Sequence, residues 1–267
     1  MNEATAAKHP VVAKDDWLAA RKALLAREKE FTRLRDELSA ARRALPWVKV
    51  AKNYVFDGPG GKQTLADLFD GRSQLIVYHF MFGPEWDQGC RSCSFLADHI
   101  DGATIHLAQR DVTLLAVSRA PLPRIHAFKK RMGWRFDWVS SYGSDFNRDF
   151  GVSFSKDELA TGKVFYNYDM VAFPVEEAHG LSVFYKDKKG DIFHTYSSYG
   201  RGVDMLVGAY NYLDLTPKGR DEDALSFTMA WVRHHDRYDA PNTAGRTEDS
   251  VASKGPNASC CSGQDHT

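Results

Sequence analysis

Two nearly uninterrupted apolar runs constrain the fold of this chain more than any other feature. The first is "SQLIVYHFMF" at residues 73–82, and the second is "VTLLAVSRA" at residues 112–120. Such runs are typical of strands that are covered on both faces of a parallel or mixed sheet. The segment after the first run, "SFLADHIDGATIHLAQR", has apolar residues at helical spacing. The segment after the second run, "PLPRIHAFKKRMGW", begins with prolines, which are typical of the first turn of a helix. The strand–helix–strand–helix order predicts an α/β domain with helices on both faces of a mixed central sheet.

Further elements are predicted on either side of this unit. Residues 47–69 have the pattern of a strand or hairpin turned at "DGPGG", followed by a one-turn helix. Residues 181–199 form a second hairpin, turned at "DKKG", and helices are expected over 202–215 and 221–238. The aromatic stretch 153–180 is rich in loop residues and could cover a functional site.

Residues 14–45 contain no Gly or Pro and are rich in Ala, Leu, Arg and Glu. Large apolar side chains recur in this segment at every seventh position, at Trp17, Leu24, Phe31, Leu38 and Leu45. The pattern predicts an amphipathic helix that ends at Pro46. Because Arg27 interrupts the second apolar row, we expect the helix to pack on its own domain or on a partner subunit, rather than to form an autonomous coiled coil. A homodimer through this helix is therefore predicted.

These patterns divide the chain into four parts. Residues 1–13 are expected to be flexible, residues 14–46 form the amphipathic helix, and residues 47–240 form the α/β domain. Residues 241–267 contain almost no large apolar side chain, so we predict a disordered tail.

Charge and hydropathy exclude several classes of function. Lys and Arg number 35, and so do Asp and Glu, so the chain lacks the basic footprint of a nucleic-acid-binding protein. No stretch approaches the roughly 18 apolar residues of a membrane helix. The N-terminal residues include acidic side chains and lack the apolar core of a secretory signal, so we expect a cytoplasmic protein. In that compartment a CxxC motif is more often catalytic, redox-sensing or metal-binding than a structural disulfide.

The CxxC motif of Cys90 and Cys93 lies between the first apolar run and the helix that follows it. This places both sulfurs at the first turn of the helix, where unpaired N–H groups favour a thiolate. Cys90 could then attack a disulfide and Cys93 could resolve the mixed disulfide.

Two other interpretations of the motif are open. The cysteines could be two small buried residues, or half of a structural zinc site, which needs four ligands. The remaining cysteines, Cys260 and Cys261, are adjacent in the predicted tail, so we predict no metal and no cofactor. These tail thiols either have no role, or reach the CxxC to reduce it or to transfer a soft metal ion.

Neighbouring residues are candidates for the surroundings of the thiols. Trp86 and Asp87 could shape a pocket; the carboxylate of Asp87 would oppose a thiolate electrostatically, and Arg91 would support it. His79, in the preceding strand, could take a proton from Cys93, although a hydrogen-bonded core histidine is the favoured interpretation.

Two polar clusters near the C-terminus have simpler interpretations. "RHHDRY" suggests metal ligands, but His234 and His235 would point to different sides of a helix, which favours a surface cluster. "SSYGRG" offers Tyr199 and Arg201, which we interpret as the solvated end of a hairpin.

Several runs resemble the bacterial family catalogued as domain of unknown function 899, including "GRSQLIVYHFMFGPEWDQGCRSCSF", "GLSVFYKDKKGDIFHTYSSYGRG" and "WVRHHDRYD". The resemblance covers roughly residues 15–240. It implies a thioredoxin-like fold, with a layout similar to that of the peroxiredoxin branch, and the activity of a dithiol–disulfide oxidoreductase. It would also place His179 and Gly180 opposite the CxxC, where thioredoxins have Thr–Pro. His179 would then contact the thiols, and Gly180 would leave room for a substrate backbone.

One departure from the peroxiredoxin pattern bears on the activity. The peroxidatic motif has a hydroxyl residue three positions before the active cysteine, whereas Asp87 occupies that position here. We therefore favour dithiol–disulfide exchange with a protein or small-molecule disulfide over a thiol peroxidase. A non-catalytic module that senses redox state or holds a metal is the alternative from another class.

Overall fold

The structure is a computed structural model that describes residues 9–238. The predicted tail, with Cys260 and Cys261, lies outside the described residues. The chain divides into two compact units, Met1–Pro46 and Trp47–Thr267. Within residues 9–238 no helix is both long and apolar enough to cross a membrane.

The first unit contains one long helix, α1, at Lys14–Arg43. Its first turn contains Asp15 and Asp16, and its last turn contains Arg42 and Arg43. The charges at both ends therefore interact favourably with the helix dipole. None of its residues is buried. The predicted amphipathic helix is present.

The second unit is built on an eight-stranded sheet. Its strands are β1 Val48–Lys49, β2 Val55–Gly58, β3 Gly61–Thr64, β4 Gln74–His79, β5 Val112–Ser118, β6 Trp138–Ser140, β9 Gly180–Lys186 and β10 Ile192–Tyr199. A separate hairpin is formed by β7 Val164–Tyr166 and β8 Asp169–Val171. The helices are α2 Arg91–Ala97, α3 Asp101–Ala108, α4 Leu122–Arg131, α5 Phe146–Asp149, α6 Lys156–Ala160 and α7 Gly208–Leu213.

The strand order is β1-β10-β9-β4-β5-β6-β2-β3. Strands β4, β5 and β6 are parallel, whereas β9 runs antiparallel to β4 and β10 runs antiparallel to β9. The inner order β10-β9-β4-β5 combines a parallel pair with an antiparallel hairpin, which is the thioredoxin-like arrangement. The predicted fold class is confirmed.

Strand β4 is covered on both faces, as its unbroken apolar sequence predicts. Tyr78 packs in a cluster with Phe95 of α2, whereas Leu75 and Val77 belong to a second cluster with Phe146 of α5. Since successive side chains of a strand alternate between faces, α2 and α5 lie on opposite sides of the sheet.

The helix predicted over residues 221–238 is wrong. The segment consists of turns, apart from a short 3-10 helix at His235–Arg237. The carboxylate of Glu222 accepts hydrogen bonds from the hydroxyl of Tyr210, the backbone N–H of Met229 and the indole N–H of Trp231. These tertiary contacts replace the regular backbone bonds that the apolar spacing suggested.

Two other segments contain more structure or a different structure than expected. The predicted helix over 202–215 is divided into a 3-10 helix at Gly200–Leu206 and the short α7. The stretch 153–180 contains α6, whose capping box joins Ser155 and Glu158, and the β7–β8 hairpin. The hairpin turns through two residues of positive φ, as a two-residue turn of type I′ requires.

Candidate thiol site

Cys90 and Cys93 lie at the start of α2, directly after the loop that leaves β4. Cys90 is the N-cap residue and is partly exposed, while Cys93 is 2% exposed. The backbone N–H of Cys90 donates to the carbonyl of Met81 at 3.0 Å, and its carbonyl accepts from the backbone N–H of Ser94 at 2.9 Å. Neither cysteine forms a disulfide in the described part of the chain. One thiol is therefore accessible and the other is sheltered one helical turn further on.

Gly89 sets the approach of the chain to Cys90. A Cβ at this position would lie 2.6 Å from a ring carbon of Phe80 and 2.8 Å from one of Phe128. The carbonyl of Gly89 accepts a hydrogen bond from His234 Nε2 at 3.0 Å. Only a residue without a side chain lets the loop pass this closely to the aromatic core.

Two arginines of α4 hold the rest of the loop. Arg124 Nη1 donates to the carbonyls of Pro84, at 2.6 Å, and Trp86, at 3.2 Å. Arg131 Nη1 donates to Gln88 Oε1 at 3.1 Å. Sequence reasoning missed both residues, because basic side chains on an amphipathic helix look like an ordinary solvated face.

The prediction of a surface cluster is wrong for His234. Its side chain is 1% exposed, and Nδ1 lies 2.8 Å from Nη2 of Arg131. Burial lowers the pKa of His234 to about 4, so the ring is neutral at physiological pH. Since Nε2 donates to the Gly89 carbonyl, Nδ1 is the acceptor for the arginine.

The neighbouring His235 is exposed and its Nδ1 lies 2.6 Å from Asp98 Oδ1. Among residues 9–238 there is no group of three or more His, Cys, Asp or Glu side chains that could hold a metal ion.

The residues that flank the cysteines differ in exposure. The ring of Trp86 packs over Gly83, where a Cβ would lie 2.9 Å from the indole nitrogen. Asp87 is exposed, and Arg91, the first residue of α2, is partly exposed. Trp86 is thus part of the loop packing, whereas Asp87 is exposed and Arg91 is partly exposed, both close to Cys90 in the sequence.

A small cavity of about 20 Å³ lies beside Cys93. Its walls include Tyr78 of β4, His179, and Gly200 and Asp204 of the 3-10 helix. This volume holds about one water molecule. The cavity therefore connects the sheltered thiol with His179 but has no room for a larger ligand.

His179 is 5% exposed, and its Nε2 lies 3.2 Å from the carbonyl of Gly200. Because a carbonyl only accepts, Nε2 must carry the hydrogen, which leaves Nδ1 as an acceptor. Nδ1 is buried without a hydrogen-bond partner. Burial lowers the pKa of His179, and its electrostatic interaction with Cys90 acts in the opposite direction. His179 is therefore neutral, and its buried Nδ1 is an acceptor without a hydrogen-bond partner.

Tyr166 of β7 supports this wall of the cavity. Its hydroxyl donates to the carbonyl of His179 at 2.7 Å and accepts from the backbone N–H of Gly200 at 2.9 Å. The segment 153–180 thus supplies a buried brace for the site, which its loop-like sequence did not reveal.

Gly180 begins β9 and pairs with His79 of β4. A Cβ on Gly180 would lie 2.4 Å from a ring carbon of Tyr199. The space at Gly180 is therefore filled by Tyr199, which corrects the expectation that it is open to a substrate backbone. Tyr199 is buried, which also corrects its assignment to a solvated hairpin end, whereas Arg201 is exposed.

His79 does not belong to the thiol site. It is fully buried, its Nε2 lies 2.8 Å from Ser182 Oγ, and its ring packs against Phe146 and Phe150. These contacts lie on the face of the sheet opposite to α2. Burial lowers the pKa of His79 to about 3, so it is a neutral core histidine and is removed from the surroundings of the cysteines.

A buried carboxylate lies two residues before His179. Glu177 is 2% exposed, accepts from Ser153 Oγ at 3.0 Å, and lies 3.2 Å from Arg119 Nε. Burial raises the pKa of Glu177 to about 7, although Arg119 and Ser153 both act to lower it. No sequence pattern distinguishes this glutamate from other loop glutamates.

The solved structures that this chain resembles include several peroxiredoxins and a putative protein disulfide isomerase from Bacteroides thetaiotaomicron. A cysteine-to-serine mutant of PrxQ from Xylella fastidiosa is 13% identical, with a TM-score of 0.40, over 62% of this chain and 94% of that chain. Peroxidoxin BcpB from Mycobacterium tuberculosis is 12% identical, with a TM-score of 0.40, over 61% and 94%. Peroxiredoxin Q from Xanthomonas campestris is 14% identical, with a TM-score of 0.37, over 61% and 96%.

No curated protein matches the sequence. The sequence profile of one family, described as bacterial proteins of unknown function, DUF899, matches residues 6–238. Since the match includes nearly all of the described chain, with its thioredoxin-like sheet and its CxxC, the protein belongs to the DUF899 family.

Proposed function

We propose that this protein catalyses dithiol–disulfide exchange, with Cys90 as the nucleophile and Cys93 as the resolving thiol. The observation that carries the proposal is the unequal environment of the two sulfurs. Cys90 is partly exposed at the start of α2, whereas Cys93 is buried one turn later beside a cavity shared with His179. A nucleophile must meet its substrate, and a resolving thiol must attack only the bond that forms next to it.

The exchange has two steps. The Cys90 thiolate attacks one sulfur of a substrate disulfide, forms a mixed disulfide and releases the other substrate sulfur as a thiolate. Cys93 then attacks the Cys90 sulfur, forms the Cys90–Cys93 disulfide and releases the second substrate thiolate. The substrate gains two electrons and the protein loses two, and the protons of the two protein thiols pass to the released thiolates. A dithiol reductant restores the reduced protein.

His179 is the candidate base for the second step. Cys93 must lose its proton to attack, and its buried position keeps it from bulk water. Nδ1 of His179 is an unpartnered acceptor, and the side chain lines the cavity beside Cys93. One water molecule in the cavity would suffice to relay the proton.

The accessible side of the site favours a disulfide that approaches from solvent. The cavity holds about one water molecule, so the body of a substrate must remain outside, near Cys90 and the exposed Asp87. Protein and small-molecule disulfides both fit this requirement.

The test uses glutathione disulfide with full-length protein in which Cys260 and Cys261 are changed to Ser. Protein with both site cysteines should release two equivalents of glutathione and form a disulfide between Cys90 and Cys93. Cys93→Ser should release one equivalent and retain a glutathione adduct on Cys90, because the resolving thiol is absent. Cys90→Ser is the matched control and should form no adduct on the same timescale. Intact-mass and peptide mass spectrometry distinguish these products.

Two results would overturn the proposal. A stable glutathione adduct on the protein with both site cysteines, without a Cys90–Cys93 link, would show that Cys93 does not resolve the mixed disulfide. Alternatively, Cys93→Ser would consume one equivalent of hydrogen peroxide faster than it reacts with the disulfide and leave a sulfenic acid on Cys90. That outcome would identify a thiol peroxidase.

A further inference from the structure

The apolar stripe of α1 is an exposed apolar feature that the thiol chemistry does not use. The stripe consists of Trp17, Leu24, Phe31 and Leu38 of α1 and of Leu45 just beyond its end, and these side chains are between 45% and 67% exposed. Exposed apolar surface of this extent marks an interaction site in a folded protein.

Charged side chains flank the stripe in two rows of opposite sign. The acidic edge, one residue before stripe positions, contains Asp16, Glu30 and Glu37. The basic edge, four residues after stripe positions, contains Arg21, Arg35 and Arg42. Glu28 also falls in the basic row, but it pairs with Arg21 of the same helix at 2.8 Å. In heptad terms the two edges are the g and e positions that flank the seam of a coiled coil.

We propose that α1 pairs with α1 of a second copy of this chain, in parallel and in register, through the apolar stripe. In a parallel pair, a g residue faces the e residue five positions later on the other helix. Asp16 then faces Arg21 of the second copy, Glu30 faces Arg35, and Glu37 faces Arg42. All three contacts are attractive, and symmetry makes each of them twice.

An antiparallel pair would bring like edges together. Arg21 would face Arg42 of the second copy, and Glu30 would face Glu37. Only Glu28 and Arg35 would attract each other across the seam. The charge pattern therefore selects the parallel orientation.

The second row of the seam allows the two helices to approach closely but adds little stability to the pair. Its positions are Ala20, Arg27, Leu34 and Ala41. The small alanines let the helices approach, while the stem of Arg27 can lie along the seam with its charge in solvent. Arg27 limits the stability of an isolated pair, so the interface belongs to the full-length dimer.

The test measures the dimer dissociation constant of full-length protein by sedimentation at low and high salt. Glu30→Lys/Glu37→Lys and Arg35→Glu/Arg42→Glu each place like charges opposite each other in a parallel pair. Each should weaken the dimer by roughly tenfold or more. An equimolar mixture of the two variants should restore a dimer, as a heterodimer in which every edge contact is attractive again.

The matched control is Lys29→Glu/Arg43→Glu, which changes the net charge as the basic-edge variant does but lies on the opposite face of α1. It should keep the wild-type constant, and circular dichroism should show equal helix content in all variants. A monomeric wild-type protein, or a dimer that tolerates both edge variants, would overturn the proposal. Weakening by only one of the two edge variants would refute the parallel orientation, since a parallel pair sets acidic-edge residues opposite basic-edge residues and both variants must then weaken it.

Discussion

Glu177→Gln should stabilise the protein at alkaline pH and have little effect at acidic pH. In the native protein, burial raises the pKa of Glu177 from 4.5 to about 7. Between these values the native state binds more protons at this site than the unfolded state does. The free energy of unfolding of the wild type therefore contains a contribution that decreases as pH rises from 4.5 to 7. Glutamine does not titrate, so the variant lacks this loss.

The magnitude follows from the difference between the two pKa values. A difference of 2.5 units, at about 1.36 kcal/mol per unit, corresponds to about 3 kcal/mol. Below pH 4.5 the carboxyl group is neutral in both states, and glutamine can keep the hydrogen bond from Ser153. The stability difference between variant and wild type should thus grow by about 3 kcal/mol between acidic and alkaline pH, less whatever Arg119 contributes to the ionised form.

The assay is urea unfolding followed by tryptophan fluorescence across this pH range. The lowered pKa values of buried His79 and His234 also reduce the free energy of unfolding as pH falls below 6.5. This reduction is equal in both proteins and cancels in the difference. Glu85→Gln, at an exposed position of the loop between β4 and α2, controls for the loss of one negative charge. Parallel pH profiles of Glu177→Gln and wild type would refute the reasoning.

Two further predictions concern residues that shape the thiol site. Gly89→Ala should lower the free energy of unfolding by about 1–3 kcal/mol, since the new Cβ collides with two core rings. Gly60→Ala is the control, because a Cβ at that position has open space around it. Equal urea midpoints for the two variants would contradict the packing argument. Tyr166→Phe should cost about 1–3 kcal/mol and slow the release of the second glutathione equivalent, because the carbonyl of His179 loses its buried donor. Tyr212→Phe, at a position 76% exposed, should change neither the free energy of unfolding nor the release of glutathione. An unchanged second step in Tyr166→Phe would show that the hydroxyl of Tyr166 does not affect the resolving reaction.

Much of the fold could be predicted from the sequence because its signals are local. The unbroken apolar character of β4 and β5 indicated strands buried on both faces, and the turn sequences indicated two hairpins. The heptad spacing and the absence of Gly and Pro indicated α1. The position of the CxxC between a buried strand and a helix followed from the same order of elements.

Tertiary structure decided what surrounds the two thiols. His234 is buried against Gly89 although its sequence neighbours are charged, and Tyr166 reaches His179 and Gly200 from a hairpin in a segment that reads as loop. Likewise His79 turns away from the cysteines because side chains alternate along β4. Such placements depend on contacts between residues far apart in the chain, and these contacts leave no periodicity in the sequence. The sequence by itself thus determined the sheet and the location of the thiols, and only the packing of distant segments determined which groups could act on them.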